Sequence, residues 1–280
     1  MKQRIITALI LAPLAVLAIF ELSLPFFILA LAAVTIIGFW EWGQFIGSKS
    51  RYLAMIPTLL AFAASYIVIP SDVMSMNIVT TEHLFMLVLA SIWWILASAL
   101  TITYPRSTIT WEGSKMSRQI FGMLTLIPFF WSVVLLRAQD VHANPYYGAK
   151  LVMFVCLIVW AADSGAYFAG KSFGKHKMAP KVSPNKTIEG LIGGIITAFL
   201  VGWGANHFFE LSFSGTGAMM ITMAITVVIS VLGDLVESMF KRVSGIKDSS
   251  NIIPGHGGML DRIDSLTAAF PVFTLLYFTL

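Results

Sequence analysis

The side chains able to do chemistry crowd into one segment, SMFKRVSGIKDSSNIIPGHGGMLDRID, from Ser238 to Asp264. Its 27 residues hold Lys241, Arg242, Lys247, Asp248, His256, Asp261, Arg262 and Asp264. These eight titratable groups stand in a chain with only 11% charged residues. Cations beside carboxylates and a Gly255-His256-Gly257-Gly258 turn suit a polyanionic, phosphorylated ligand and a divalent cation. If a helix continues through DLVESMFK, then Asp234, Glu237, Ser238 and Lys241, at i, i+3, i+4 and i+7, share one face. Asp261 and Asp264 repeat the i, i+3 spacing, so two helix ends would present carboxylates to one pocket. Hard oxygen donors without cysteine favour Mg²⁺ over zinc, because magnesium bridges one or two carboxylates to substrate phosphates. Ion pairing of Asp261 and Asp264 with Arg262, Lys241 or Arg242 would account for the same pattern without a metal.

Three further features flank this segment. In the turn Pro254 to Gly258, glycine lets the backbone approach a ligand and point N–H groups at it. A helix starting just after would add N-terminal donors for phosphate. His256 reads equally as a phosphate donor or leaving-group acid and as an ordinary hydrogen-bonded loop histidine. In KVSPNKTIEG, Lys181 to Gly190, a phosphate clamp would use Lys181, Lys186, Ser183, Asn185 and Thr187. A helix capped by Ser183 or Thr187, with Glu189 completing a capping box, reads the same spacing structurally. Asp163 lies within an apolar run, where a carboxylate is expensive and therefore a functional candidate, as are Asp234 and Glu189 at run ends.

These groups need elements to carry them, and the elements read as membrane helices. The chain has 280 residues, 58% of them hydrophobic, with mean hydropathy +0.84. Continuously apolar runs fall at about 5–20, 22–40, 52–71, 84–105, 119–136, 151–170, 190–209, 211–233 and 265–280. Most approach the roughly 20 residues that cross a bilayer as helix. The expectation is an all-α, polytopic integral membrane helical bundle of about nine transmembrane helices, eight if one end segment lies at the interface. Residues 1–280 form one membrane domain, with 1–150 mostly scaffold and 151–280 the catalytic half. Lys2 and Arg4 precede an apolar segment with no small-residue cleavage site, so the first helix is retained.

Nine spans with a cytoplasmic N-terminus put sixteen Lys and Arg on the cytoplasmic side, leaving only Arg137 and Lys150 outside. The net charge of +4 therefore reports topology and a basic face for anionic lipid and nucleotide phosphates, not nucleic acid. The one cysteine, Cys156, excludes an intrachain disulfide and a cysteine zinc site.

The residues alone lead to a cytoplasmic, metal-dependent, polyphosphate-handling membrane site. Ser238, Lys241, Arg242, Lys247, Asp248, His256, Gly257, Gly258, Asp261, Arg262 and Asp264 also fill every fixed position of a longer pattern. That pattern resembles the signature of the phosphatidate cytidylyltransferases, or CDP-diacylglycerol synthases, in their bacterial form. The similarity extends to ADSGAYFAGKSFGKHKMAPKVSPNKTIEG and FWEWGQF. It implies transfer of the cytidylyl group of CTP to phosphatidate, giving CDP-diacylglycerol and pyrophosphate in phospholipid biosynthesis. It also implies an all-helical homodimer in the bacterial cytoplasmic membrane. Its metal carboxylates correspond to Asp234 and Asp261, with Asp264 nearby, holding Mg²⁺ with K⁺ as second cation. Lys241 and His256 join these three as catalytic candidates. Ser183, Asn185, Lys186, Thr187, Ser238, Arg242, Lys247, Asp248, Gly257, Gly258, Arg262 and Asp163 are substrate-binding candidates. A CTP-dependent lipid or polyprenol kinase is the alternative enzyme, and an ion or phosphate transporter the alternative that is not one. A transporter needs polar groups through the full membrane depth, whereas here they gather on one side.

Overall fold

A computed structural model describes residues 2–70 and 79–280, with the backbone alone for residues 2–6 and 8. The side chains of Lys2 and Arg4, and residues 71–78 of the expected loop from Pro70 to His83, lie outside the described residues. Nine α-helices follow in chain order among the described residues: α1 (Lys2–Glu21), α2 (Leu24–Trp42), α3 (Arg51–Val68), α4 (Thr81–Ile102), α5 (Lys115–Arg137), α6 (Tyr147–Phe173), α7 (Ile188–Phe209), α8 (Thr216–Val243) and α9 (Leu260–Thr279). By length and apolarity, α2 to α8 qualify as membrane spans. The apolar part of α1 is described only from Leu9 to Glu21, and α9 opens on Asp261, Arg262 and Asp264, which lowers its hydropathy. Large apolar side chains stand bare on the outside of the bundle, such as Ile67 at 88%, Phe208 at 80% and Leu200 at 72% exposure. Such a surface is stable in hydrocarbon and not in water. The chain is an integral membrane protein.

Polar contacts show that the helices alternate in direction. On one face, Thr7 at the start of α1 donates to the Pro254 carbonyl, 3.0 Å, in the α8–α9 loop. There too Gln119 at the start of α5 donates to the Ala54 carbonyl of α3, 2.8 Å. Near that end, Thr101 of α4 reaches the Met239 sulfur of α8, 3.6 Å. On the opposite face, Arg137 at the end of α5 donates to the carbonyls of Ile19 and Leu22, 3.0 and 3.1 Å. Lys150 donates to the Phe209 carbonyl, 3.2 Å, and the Tyr147 and Tyr277 hydroxyls meet at 2.8 Å. The two basic residues expected apart from the rest are thus the ones found on this second face.

A two-stranded antiparallel hairpin, β1 (Lys177–Ala179) with β2 (Ser183–Thr187), joins α6 to α7. No strand is expected there, since SPNKT carries proline and polar residues that sheets disfavour. The hairpin survives because it is anchored. Arg242 Nε donates to the Val182 carbonyl, 3.1 Å, and Glu189 accepts from the backbone N–H groups of Lys175 and His176.

Helices α6 and α7 approach closely through small residues. A methyl group on Gly165 would lie 2.2 Å from Thr197 Oγ1 and 2.8 Å from the Gly193 carbonyl oxygen. The second neighbour is backbone and cannot swing away. Gly165→Leu should therefore destabilise the bundle by about 1–3 kcal/mol, as overpacking does. A lower midpoint in thermal unfolding of the detergent-solubilised protein checks this, and an unchanged midpoint contradicts the packing.

Candidate active site

The site grows from the end of α8. That helix runs unbroken through Val243, so Asp234, Glu237, Ser238 and Lys241 share one face as the spacing predicts. The helix brings its acids up against the first turn of α9. Lys241 Nζ lies 2.8 Å from Asp261 Oδ1 and 3.5 Å from Glu237 Oε1. Glu237 is buried at 5% exposure, with Lys241 as its ion-pair partner and Asp264 beside it. Glu237 interacts electrostatically with Asp264 and Asp261, and Asp264 with Asp234. Asp234 takes an ion pair from Lys186 at 2.8 Å and a weaker hydrogen bond from Ser238 Oγ at 3.3 Å. Asp163 on α6 completes this flank, within electrostatic reach of Lys186 and Asp234.

Asp261 is the most heavily held acid. Its Oδ2 accepts from the N–H groups of Ser249 and Gly258, each at 2.8 Å, and faces Ser249 Oγ at 2.9 Å. Only a residue without a side chain fits beside it. A methyl group on Gly257 would sit 2.7 Å from Asp261 Oδ2, and one on Gly258 2.1 Å from Ser249 Oγ. Gly257 also has φ of +83°, where glycine is unstrained.

These contacts correct the sequence-based picture of the turn. The Gly258 N–H is spent on Asp261, not left open for a phosphate. The first amides of α9 are spent as well: Met259 and Leu260 N–H donate to Glu41 Oε1 and Oε2, at 2.9 and 2.6 Å. Glu41 belongs to α2, in the half read as scaffold, and no spacing argument singles it out. It is fully buried, and it accepts from Ser250 Oγ at 2.5 Å and faces Ser249 Oγ at 3.2 Å. Ser249 thus stands between two carboxylates with one hydroxyl hydrogen to give. The signal available in the sequence is a lone acid inside an apolar run, the same cost that marks Asp163.

The clamp expected around Lys181 to Thr187 is also different. Lys186 turns inward to Asp234 and the Val231 carbonyl, 3.1 Å. Thr187 caps α7 by accepting from Gly190 N–H, 3.1 Å. Glu189 does not close a capping box; it meets His176 Nδ1 at 2.6 Å. Ser183 and Asn185 lie on β2, Asn185 exposed. Arg242 is occupied with the hairpin.

Two cavities border the carboxylates. One, of about 650 Å³, is lined by Lys247, Asp248, His256, Gly257 and Arg262 among others, residues of the α8–α9 loop and the first turn of α9 that neighbour Asp261 in the chain. His256 Nδ1 is buried there without a hydrogen-bond partner among the described residues. The other, of about 250 Å³, lies between α6, the hairpin, α7 and α8. Asp163, Lys186, Asn185 and Asp234 give it polar groups, and Tyr167, Leu191 and Val231 an apolar wall.

A divalent cation fits the charge of this site. Asp234, Glu237, Asp261 and Asp264 set four carboxyl groups against the two cations Lys186 and Lys241. Among the described residues no three His, Cys, Asp or Glu side chains converge as ligands. Magnesium takes one or two carboxylates and completes its shell with water and phosphate oxygens.

The family model described as the cytidylyltransferase family matches residues 2–280. The chain is 45% identical over 285 residues to a phosphatidate cytidylyltransferase of Haemophilus influenzae, covering 99% of both chains. It is 43% identical over 281 residues to that of Pseudomonas aeruginosa, covering 99% of this chain and 96% of the relative. Against that of Bacillus subtilis it is 32% identical over 284 residues, covering 100% and 97%. From end to end, and not only in the charged segment, the chain belongs to the cytidylyltransferase family.

Proposed function

We propose that this protein transfers the cytidylyl group of CTP to phosphatidate, releasing pyrophosphate and leaving CDP-diacylglycerol in the membrane. The observation that carries this reading is a pair of unlike cavities, one lined by the chain neighbours of Asp261 and the other by Asp163 and Asp234. A polar cavity with Lys247, His256 and Arg262 suits a triphosphate. A smaller one that combines Lys186 with an apolar wall of Tyr167, Leu191 and Val231 suits a phosphate on a diacylglycerol. Acyl chains would enter sideways between helices.

A phosphatidate phosphate oxygen attacks the α-phosphorus of CTP in line. One phosphorus–oxygen bond forms, and the bond from the α-phosphorus to the bridging oxygen breaks, its electron pair leaving on pyrophosphate. The phosphate nucleophile is already ionised near neutral pH, so no strong base is required. Catalysis is then positioning and electrostatics. Lys247 and Arg262 hold the leaving phosphates, and Lys186 orients the attacking one. Asp234 pairs with Lys186, and Asp163 adds negative charge nearby. His256 is placed to give a hydrogen bond to the departing oxygens. Asp234 and Asp261 would hold Mg²⁺, with Glu237 and Asp264 adding negative charge beside it. The metal supplies charge neutralisation of the triphosphate and the pyrophosphate. The face carrying the α8–α9 loop is the basic one, so it is the cytoplasmic face of a bacterial inner membrane, where CTP is found.

Detergent-purified protein, phosphatidate and CTP labelled at the α-phosphorus test this directly. Label should enter the lipid with release of pyrophosphate, cease on chelation with EDTA, and return with Mg²⁺. Label confined to soluble CDP, with phosphatidate further phosphorylated, would show a lipid kinase. Folded protein with no turnover would end the enzyme reading.

A further inference from the structure

The nucleotide cavity does not stand alone. Beside it lies a third cavity, of about 400 Å³, which shares Lys247, Asp248 and Asn251 with it. Its far wall comes from the FWEWGQF stretch and the start of α3: Trp40, Gln44 and Arg51. The two cavities differ in chemistry. The larger carries the cations that suit phosphate. The smaller carries an aromatic and amide wall. Arg51 sits on Trp40, its guanidinium carbon 4.8 Å from the ring centroid, with Tyr52 at 6.5 Å. A guanidinium seated on an indole offers a planar cationic surface, which is what nucleobases stack on.

Asp248 at the junction is the informative residue. It is exposed, and it has no ion pair or hydrogen bond among the described residues. A carboxylate repels phosphate, so it is out of place in a purely phosphate-binding cavity. It accepts hydrogen bonds and cannot donate them. Cytosine presents a 4-amino donor at the position where uracil presents an oxygen acceptor. A carboxylate facing that position attracts the first and repels the second.

We propose that this third cavity is the base subsite and that Asp248 selects cytosine by accepting from its 4-amino group, while the ring stacks on the Arg51–Trp40 pair. The inference rests on the nucleotidyl-transfer reading above and adds the determinant of its nucleotide choice. It also gives Asp248 a role different from phosphate contact.

The test compares kcat/KM for CTP and UTP, with phosphatidate, in the full-length detergent-purified protein and its variants. Asp248→Asn, whose amide can both donate and accept, should lower the CTP-to-UTP preference roughly 10- to 100-fold. UTP turnover should rise while CTP turnover falls, with half-saturating phosphatidate unchanged. Trp40→Leu should raise KM for both nucleotides and keep the preference. If Asp248→Asn loses both nucleotides equally, Asp248 acts on phosphate or metal and the inference is overturned. An untouched preference overturns it too. Should Asp248→Asn not fold, Asp248→Glu, which moves the carboxylate by one methylene, must still erode the preference. Wild-type protein that turns over neither nucleotide rejects the transferase reading itself. Wild type that uses CTP, with a preference indifferent to Asp248, rejects the subsite alone.

Discussion

Asp261→Asn should cut lipid labelling by about 10²- to 10³-fold, the scale seen when one preorganised electrostatic group is removed from an active site. The reason lies in how fully Asp261 is used. One oxygen faces the Lys241 ammonium at 2.8 Å, and the other takes the N–H groups of Ser249 and Gly258. An amide is isosteric but has only one acceptor end. If its oxygen stays with Ser249 and Gly258, its NH₂ points at an ammonium. If it turns, its NH₂ points at two N–H donors. Either way a buried donor is left facing a donor, which costs about 1–3 kcal/mol. Lys241 then keeps only Glu237, at 3.5 Å. Instability therefore contributes to the activity loss, and a double-mutant cycle separates the two effects. Lys241→Met with Asp261→Asn removes the stranded ammonium and should recover part of the thermal stability, the remainder being the cost of Glu237 left without its cation. It should not recover activity, since the charge that serves the phosphates is gone. A double variant that regains both would make the pair structural. A single variant that keeps a tenth or more of wild-type activity would remove Asp261 from the catalytic set.

What is legible in the sequence is what local geometry determines. The i, i+3, i+4, i+7 row on α8 needs only the 3.6-residue period, and the run of nine apolar segments needs only the cost of burying charge in hydrocarbon. The split of basic residues between the two faces follows from the same segmentation. What is not legible depends on partners far along the chain. That Lys186 is held by Asp234 is not visible, because Asp234 lies on α8, beyond the whole of α7. The turn glycines read as a phosphate nest because glycine permits close approach of any anion. The anions that approach in the folded chain are Asp261 and Glu41. The hairpin is invisible because its anchors, Arg242 and Glu189, lie outside the strands. In each case residue type points to the right chemistry, and tertiary packing sets the identity of the partner.

Glu41→Ala should damage the site from behind, at a residue that itself lines none of the three cavities. It leaves Met259 and Leu260 N–H and the Ser250 hydroxyl without their acceptor at the start of α9. The carboxylate also lies at the positive end of α9, where an anion is stabilising. The three stranded donors together should cost roughly 3–6 kcal/mol if each costs about 1–2. The consequence is local before it is global. With Glu41 gone, Ser249 and Gly258 lose the wall that presses them onto Asp261, and the segment 248–260 should gain freedom. Hydrogen exchange of that segment should rise at least about tenfold over wild type, with α4 and α5 unchanged. The kcat for cytidylyl transfer should fall more than the KM for phosphatidate rises, because the lipid cavity is built by α6, α7, α8 and the hairpin. Glu41→Gln should be intermediate: its oxygen can keep one amide of α9, while its NH₂ turns against the other. Uniformly raised exchange throughout the bundle would make Glu41 a general packing residue. Unchanged exchange at 248–260 together with lost activity would place Glu41 in direct contact with the reaction, contrary to the geometry found.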